Sequence, residues 1–258
     1  MHEINQQPVS PEFIKCWQAA GLHLQKQSQG SLQSWIRADF NPPFLEHLSF
    51  RIGNQLFFIQ LYDVDNNLET PGSLEGLKRI SNSSKGHACL MPMQKRDDKW
   101  MAAENNWGLV DLKTNKVINP LDFVSDELIE MTDWELHDFA IQIVRDNLKQ
   151  EGKKITSWNG DIEIQPSIWF ENGNTLEWIV VKFSRWPNDK PEIPKNISVI
   201  ANEIKKISGI SKGNFASLSI ANANDPFDPS AKKIGNFMLL YRGHGLMTKY
   251  EGLISLTD

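Results

Sequence analysis

The sequence contains only two cysteines and no long run of apolar residues. Two cysteines cannot build a disulfide framework, and Cys16 and Cys89 have no second pair at a metal-binding spacing, so we predict two buried thiols. A membrane-spanning helix needs about 20 predominantly apolar residues, and no stretch of the chain approaches this. The polar start, MHEINQQPVSPEF, lacks the apolar core of a signal peptide. We therefore expect a soluble, cytoplasmic protein without a membrane partner.

An excess of basic residues is also missing. The net charge is −5, and because the first 120 residues carry equal numbers of basic and acidic groups, all of this excess lies in the remainder. Proteins that bind duplex nucleic acid usually have a basic surface, since neutralised phosphates supply most of the affinity. The charge argues against a nucleic-acid partner, and we expect an unknown protein or small molecule instead.

The common catalytic motifs are absent as well. The chain has no glycine-rich phosphate loop after a strand and no HExxH, GxSxG or CxxC motif. Glu135 and His137 lie two residues apart on a predicted helix, so they do not share a face and cannot bind one ion together. His137 is therefore predicted to have a structural role. These patterns indicate no metal and no cofactor.

What the sequence does contain is an internal repeat. The segments LKRISNSSKGHACLMPM (77–93) and IKKISGISKGNFASLSI (204–220) share six identical residues at a constant offset of 127. We call these two stretches the repeat segments. Upstream, LSFRIGNQLFFIQLYD from Leu48 aligns with IWFENGNTLEWIVVKF from Ile168 at an offset of 120. The matches predict that the chain arose by duplication.

Each half has the same predicted order of elements. A Gly-Asn turn between two apolar runs predicts a β-hairpin in each half. In the second half, Thr132 and Glu135 form a capping box that opens a helix before the hairpin. In the first half, Ser10 as N-cap and Pro11 at the first helical position open the matching helix. Another helix and then a strand follow each hairpin, which gives the order helix, strand, strand, strand, helix, strand.

This order predicts an α/β (α+β) fold that is built twice. Each half is expected to be an αβββαβ repeat whose mixed sheet is flanked by helices. We predict the first repeat over 1–120 and the second over 121–258, with the polar and acidic stretch 119–132 between the two periodic patterns. The sequence leaves open whether the repeats form separate domains or share one core.

The order of elements resembles the common core of the PD-(D/E)XK, or restriction-endonuclease-like, superfamily. The segment QPSIWFENGNTLEWIVVK (165–182) is similar to the active-site hairpin of that family, which has Pro-Asp on one strand and then an acidic residue, any residue and Lys on the next. In such nucleases the two carboxylates hold a divalent metal that activates water, and the lysine stabilises the developing charge. The resemblance therefore implies a site at 166–182.

The residues at these positions depart from the family's pattern. Ser167 stands where the metal-binding Asp belongs, Val180 stands in the place of the acidic residue, and only Lys182 fits. A hard cation takes several oxygen ligands, and a valine offers none. The same alignment gives three residues without a carboxylate in the first half: His47, Gln60 and Tyr62. Neither half has the working set of the family.

The sequence is compatible with three functions. The first is a non-catalytic binding or interaction protein built from two degenerate nuclease-like repeats. The second is a metal-dependent nuclease with relocated ligands in the second repeat, where Glu203 of the following helix joins Ser167 and Lys182 in the site. The third is an anion or small-ligand binder that uses the loop YRGHGL, in which Arg242 and His244 lie beside glycines that let the backbone approach an anion.

Overall fold

We describe a computed structural model of the chain, which covers residues 9–30, 33–38, 47–235 and 237–256. The helices are α1 (Pro11–Ser28), α2 (Leu74–Ser83), α3 (Asp133–Gln150), α4 (Ile197–Ser208) and α5 (Pro229–Ile234), with a short 3-10 helix at Pro120–Phe123. The strands are β1 (Gln33–Arg37), β2 (Leu48–Ile52), β3 (Gln55–Asp63), β4 (His87–Arg96), β5 (Lys99–Ala102), β6 (Leu109–Asp111), β7 (Val117–Ile118), β8 (Lys154–Trp158), β9 (Ile168–Asn172), β10 (Thr175–Arg185), β11 (Gly213–Asn222) and β12 (Leu246–Ser255).

The described residues form two compact units, 9–129 and 130–256, which we call the N-terminal and C-terminal units. The sheet of the N-terminal unit has the order β1-β2-β3-β4-β6-β7, and β5 also pairs with β4. The sheet of the C-terminal unit has the order β12-β11-β10-β9-β8. The fold is therefore a mixed α+β fold with two mixed sheets flanked by helices. The two units meet between residues 129 and 130, inside the stretch 119–132. The sequence predicted the boundary of the repeats after residue 120.

The first four strands of both sheets are paired in the same order and directions. β1–β2 and β2–β3 are antiparallel and β3–β4 is parallel. The strands β8 to β11 repeat this arrangement. Leu48 lies opposite Ile59 in one hairpin, and Ile168 lies opposite Ile179 in the other. The two hairpins therefore have the same register at an offset of 120.

The core of the N-terminal unit lies between α1 and one face of its sheet. The cap that was predicted is present, since Ser10 accepts a hydrogen bond from the Phe13 backbone N–H at 3.0 Å. From α1, Phe13, Cys16 and Trp17 are fully buried in a cluster that includes the aromatic side chains of β2 and β3. Cys89 lies in the same cluster, and both cysteines are free, as predicted. Burial raises the pKa of the Cys16 thiol to about 12, so this thiol is unreactive.

Two inner strands of the C-terminal sheet, β10 and β11, carry most of its buried residues. On one face, α3 packs against β10 and begins with the predicted capping box of Thr132 and Glu135. On the other face, α4 covers a cluster of buried apolar side chains from β10, β11 and the helix itself: Trp178, Val180, Phe215 and Ile204. Every residue of β11 is buried, and four of these buried residues are polar: Asn214, Ser217, Ser219 and Asn222.

None of the helices in the described parts of the chain combines the length and the apolar character that crossing a bilayer requires.

Candidate functional site

The hairpin of β9 and β10 carries the positions at which the resembled family keeps its metal ligands. Ser167 immediately precedes β9 and is fully buried. Its hydroxyl oxygen accepts a hydrogen bond from the Val181 N–H at 3.2 Å, and its own N–H donates to the Ile179 carbonyl at 2.8 Å. The hydroxyl also donates to the Gln165 side-chain oxygen at 3.4 Å. The hydrogen bonds of Ser167 thus hold the start of the hairpin together.

Val180 occupies the second ligand position and belongs to the apolar core. Its side chain has no solvent exposure and contributes to the cluster under α4 with Trp178, Ile204 and Phe215. An oxygen ligand at this point would have to be placed inside that cluster. The position is therefore built for packing, and a metal ion would find no ligand on it.

Lys182 follows Val180 on the same face of β10, because side chains two residues apart in a strand point the same way. It is half-buried and makes no hydrogen bond or ion pair with any residue in the described ranges. Burial lowers the pKa of its ammonium group below the ordinary lysine value, because a charged group is less stable away from water. In β11 its register partner is Ser217.

Glu203, the residue considered as a relocated ligand, lies on α4 and is exposed to solvent. Its neighbour Ile204 forms the buried side of the helix. Across the described residues, no group of three or more His, Cys, Asp or Glu side chains lies close enough together to hold a metal ion. The structure thus brings Ser167 against the backbone of β10, and Glu203 belongs to no such group among the described residues.

The guanidinium of Arg242, in the YRGHGL loop, is turned into the protein. Its Nε and Nη2 atoms each lie 2.9 Å from a carboxylate oxygen of Glu135, and the Arg242 side chain is only 1% exposed. The same carboxylate accepts a hydrogen bond from the Thr132 N–H in the capping box of α3. Such bidentate pairs have strict geometry and are strong. Arg242 therefore fastens its loop to the start of α3.

His244 is directed elsewhere in the same loop. Its Nδ1 atom lies 3.2 Å from the Asn222 side-chain nitrogen, and its ring contacts the ring of Tyr241 edge-on with centroids 5.5 Å apart. Neither contact is shared with Arg242. The two residues that were predicted to bind an anion together thus have separate partners within the C-terminal unit.

In the N-terminal unit, the three equivalent positions provide no carboxylate. His47 is buried, and burial together with the nearby positive charge of Arg37 lowers its pKa to about 3. Its Nε2 atom and the Gln60 Oε1 atom are both buried without a hydrogen-bond partner in the described structure. Tyr62, at the position of the lysine, is 38% exposed. The lowered pKa favours the neutral imidazole, and none of these three residues is acidic.

His137 has the structural role that the sequence predicts. The residue is 1% exposed, with its two ring nitrogens 3.0 Å from the Gly160 carbonyl oxygen and 3.3 Å from that of Val181. Burial lowers the pKa of the imidazole, while both carbonyl contacts act in the opposite direction. The histidine therefore ties α3 to β10 and to the loop after β8.

Comparison with known proteins finds one family. A family model described as a domain of unknown function, DUF8840, matches residues 134–256, which corresponds to the C-terminal unit from α3 to β12. The match covers less than half of the chain. No curated protein and no solved structure matches the chain.

Proposed function

We propose that this protein is a non-catalytic binding or interaction protein, built from two nuclease-like repeats that have lost their metal sites. The observation that carries the proposal is Val180, which stands at the position of a metal-binding carboxylate and is fully buried among Trp178, Ile204 and Phe215. A change from carboxylate to buried valine removes a ligand and makes the position part of the core.

The other positions support the same conclusion. The Ser167 hydroxyl bonds to the backbone N–H of Val181 and to Gln165, so its hydrogen-bonding capacity serves the hairpin. In the N-terminal unit, His47 and Gln60 supply neutral groups. Mg²⁺ gives up its water shell reluctantly and is usually held by one or two carboxylates together with substrate phosphates. Neither hairpin offers such a carboxylate at these positions.

The charge of the chain supports a partner other than duplex nucleic acid. The net charge is −5, and neither half has an excess of basic residues. Duplex binding depends on cations that replace the counterions of the phosphates, and its affinity falls steeply as salt rises. We expect no specific binding to a short DNA or RNA duplex near physiological salt. Submicromolar, salt-sensitive binding would contradict this part of the proposal.

A cleavage assay tests the proposal against the nuclease alternative. The full chain is incubated with single- and double-stranded DNA and RNA in Mg²⁺ or Mn²⁺, beside Lys182→Ala and Glu203→Gln variants. We expect no cleavage by any of the three proteins. Cleavage that disappears in Lys182→Ala or Glu203→Gln would overturn the proposal in favour of a site with relocated ligands.

A further inference from the structure

Helix α4 covers only part of its face of the C-terminal sheet. Under the helix, Val180 of β10 lies beside Phe215 of β11 in the apolar cluster. Along the same two strands, the next residues on this face form the pairs Lys182–Ser217 and Ser184–Ser219. The face therefore changes from apolar to polar at Lys182, towards the carboxyl ends of the parallel strands.

The polar region extends across β11 to the edge strand. Ser219 pairs with Lys249 of β12, so the Lys249 side chain lies on the same face. We call the five residues of this region the serine–lysine floor: Lys182, Ser184, Ser217, Ser219 and Lys249. Strand β11 thus lies between Lys182 of β10 and Lys249 of β12, so a lysine stands on each side of its serine hydroxyls.

Several polar groups of the serine–lysine floor have no protein partner. Ser217 is only 6% exposed, yet its hydroxyl makes no hydrogen bond with any residue that the structure describes. Lys182 is half-buried and likewise has none in those ranges. The hydroxyls of Ser184 and Ser219 contact each other at 3.2 Å. The Ser217 oxygen and the Lys182 nitrogen are not among the fully buried polar atoms of the described residues that lack a partner, so both atoms reach solvent and can bind a ligand oxygen.

The two lysines of the serine–lysine floor form no ion pair with a carboxylate in the described ranges. Lys249 lies over the ring of Phe227, with its Nζ atom 4.4 Å from the centroid, and has no carboxylate partner among the described residues. Glu251, the acidic residue nearest to Lys249 along β12, is already paired with Lys190. An oxygen of a negatively charged ligand would complement both the unpaired lysines and the hydroxyl donors.

We infer that the serine–lysine floor binds a small oxyanion, namely the phosphate or carboxylate group of a small-molecule ligand. Lys182 and Lys249 supply the positive charge, and the hydroxyl of Ser217 donates a hydrogen bond to a ligand oxygen. The inference rests on the proposed function, because it gives the chemical class of ligand that a non-catalytic binding protein with this fold would take.

Aromatic side chains border the serine–lysine floor. Trp186 lies immediately after the end of β10, and its ring meets that of Phe227 edge-on with centroids 5.5 Å apart. The indole Nε1–H of Trp186 is buried and has no hydrogen-bond partner in the described structure. The organic part of a ligand would therefore find aromatic surface next to the site of its oxyanion.

Calorimetric titration of the full chain tests this inference. The probes are inorganic phosphate and acetate, each measured at an ionic strength matched with chloride, so that the two arms distinguish phosphate from carboxylate. We expect saturable binding of at least one probe. Lys182→Met should weaken it about tenfold or more, because a charge-assisted contact is lost. Ser217→Ala should weaken it about fivefold, as expected for one hydrogen bond.

Lys206→Met is the matched control, since Lys206 is an exposed lysine of α4 outside the serine–lysine floor. This variant should bind the probe as the wild type does. In the wild type, the amide resonances of Ser217 and Ser219 should shift as the probe is added. Absence of saturable binding, or equal weakening by Lys206→Met and Lys182→Met, would overturn the inference. The cleavage assay on the same preparation distinguishes failure of this inference from failure of the proposed function. Cleavage would overturn the proposed function whatever the titration shows.

Discussion

Gly213 packs against the indole ring of Trp178 so closely that a Cβ atom on the glycine would lie 2.1 Å from the ring. The N-terminal unit has the same relationship, since a Cβ on Gly86 would lie 2.7 Å from the ring of Phe58. Gly86 and Gly213 match in the repeat segments, and Phe58 and Trp178 match in the hairpins. The repeated glycine thus has a packing role, because it lets a large ring of one strand lie over the start of the next.

We predict that Gly213→Ala destabilises the protein by about 1–3 kcal/mol, the usual range for overpacking a tight core. Chemical denaturation followed by tryptophan fluorescence measures the change. Replacing the ring as well, in Gly213→Ala with Trp178→Leu, should cost less than the two single changes added together, because the clash is removed. Gly76→Ala, in the first turn of α2, is the control and should not destabilise. Additive losses in the double variant would contradict the packing role.

The buried ion pair of Glu135 and Arg242 allows a second prediction. Arg242→Met should destabilise the protein by about 3–5 kcal/mol, because it leaves the Glu135 carboxylate buried without its partner. The loss should be smaller in the double variant Glu135→Gln with Arg242→Met, which removes the buried charge. Urea unfolding of the three proteins provides the measurement.

Lys154→Met is the comparison for this experiment. Lys154 pairs with Glu171 at 3.1 Å on the surface, with 73% and 38% of the two side chains exposed. Solvent screens such a pair, so its loss should change the free energy of unfolding by less than about 1 kcal/mol. If Arg242→Met had an effect as small as that of Lys154→Met, the loop would not depend on the ion pair.

Local signals in the sequence predicted the helix caps and the hairpin turns. Ser10 and Thr132 cap their helices as expected, and both Gly-Asn turns join antiparallel strands. These features depend on neighbouring residues, so spacing alone identifies them. The order of elements followed from the same signals, and with it the mixed α+β class.

Contacts between distant residues could not be predicted in this way. The capping box identified Glu135, but its ion-pair partner lies 107 residues further along the chain. The register of the parallel strands is another example, since Ile59 pairs with Cys89 whereas Ile179 pairs with Asn214. The sequence alignment would have placed Ala216 opposite Ile179. A shift of two residues keeps every side chain on its face, so the apolar pattern does not reveal it.

The buried imidazole of His47 leads to a prediction about pH. Burial, assisted by the charge of Arg37, lowers its pKa to about 3, whereas an unfolded chain has a histidine pKa of about 6.5. Below pH 6.5 the unfolded state therefore binds more protons than the folded state. Stability from this group is complete above pH 6.5 and should fall towards pH 3, by about 1.4 kcal/mol for each pH unit in the middle of that range.

Two measurements check this prediction. The Hε1 resonance of His47 should not titrate between pH 7 and pH 5 in the folded protein. His47→Gln should reduce the slope of stability against pH over the same range, because the substituted side chain cannot be protonated. A titration midpoint of the His47 Hε1 resonance near pH 6.5 would contradict the prediction, because it would show that the imidazole is solvated.

The last prediction concerns Val180, whose side chain is completely buried beneath α4. Val180→Glu introduces the residue type that the resembled nucleases have at this position, but the new carboxylate would have to enter an apolar cluster. We expect a loss of about 3–5 kcal/mol in urea unfolding, as for other charges buried in an apolar core. Val180→Thr keeps the shape and adds only a hydroxyl, so it should cost about 1–3 kcal/mol. Mg²⁺ should not restore the stability of Val180→Glu, because a ligand that binds the folded state must have a site there to stabilise it. A stable Val180→Glu protein whose unfolding midpoint rises with Mg²⁺ would show instead that the hairpin still encloses a place for a metal ion.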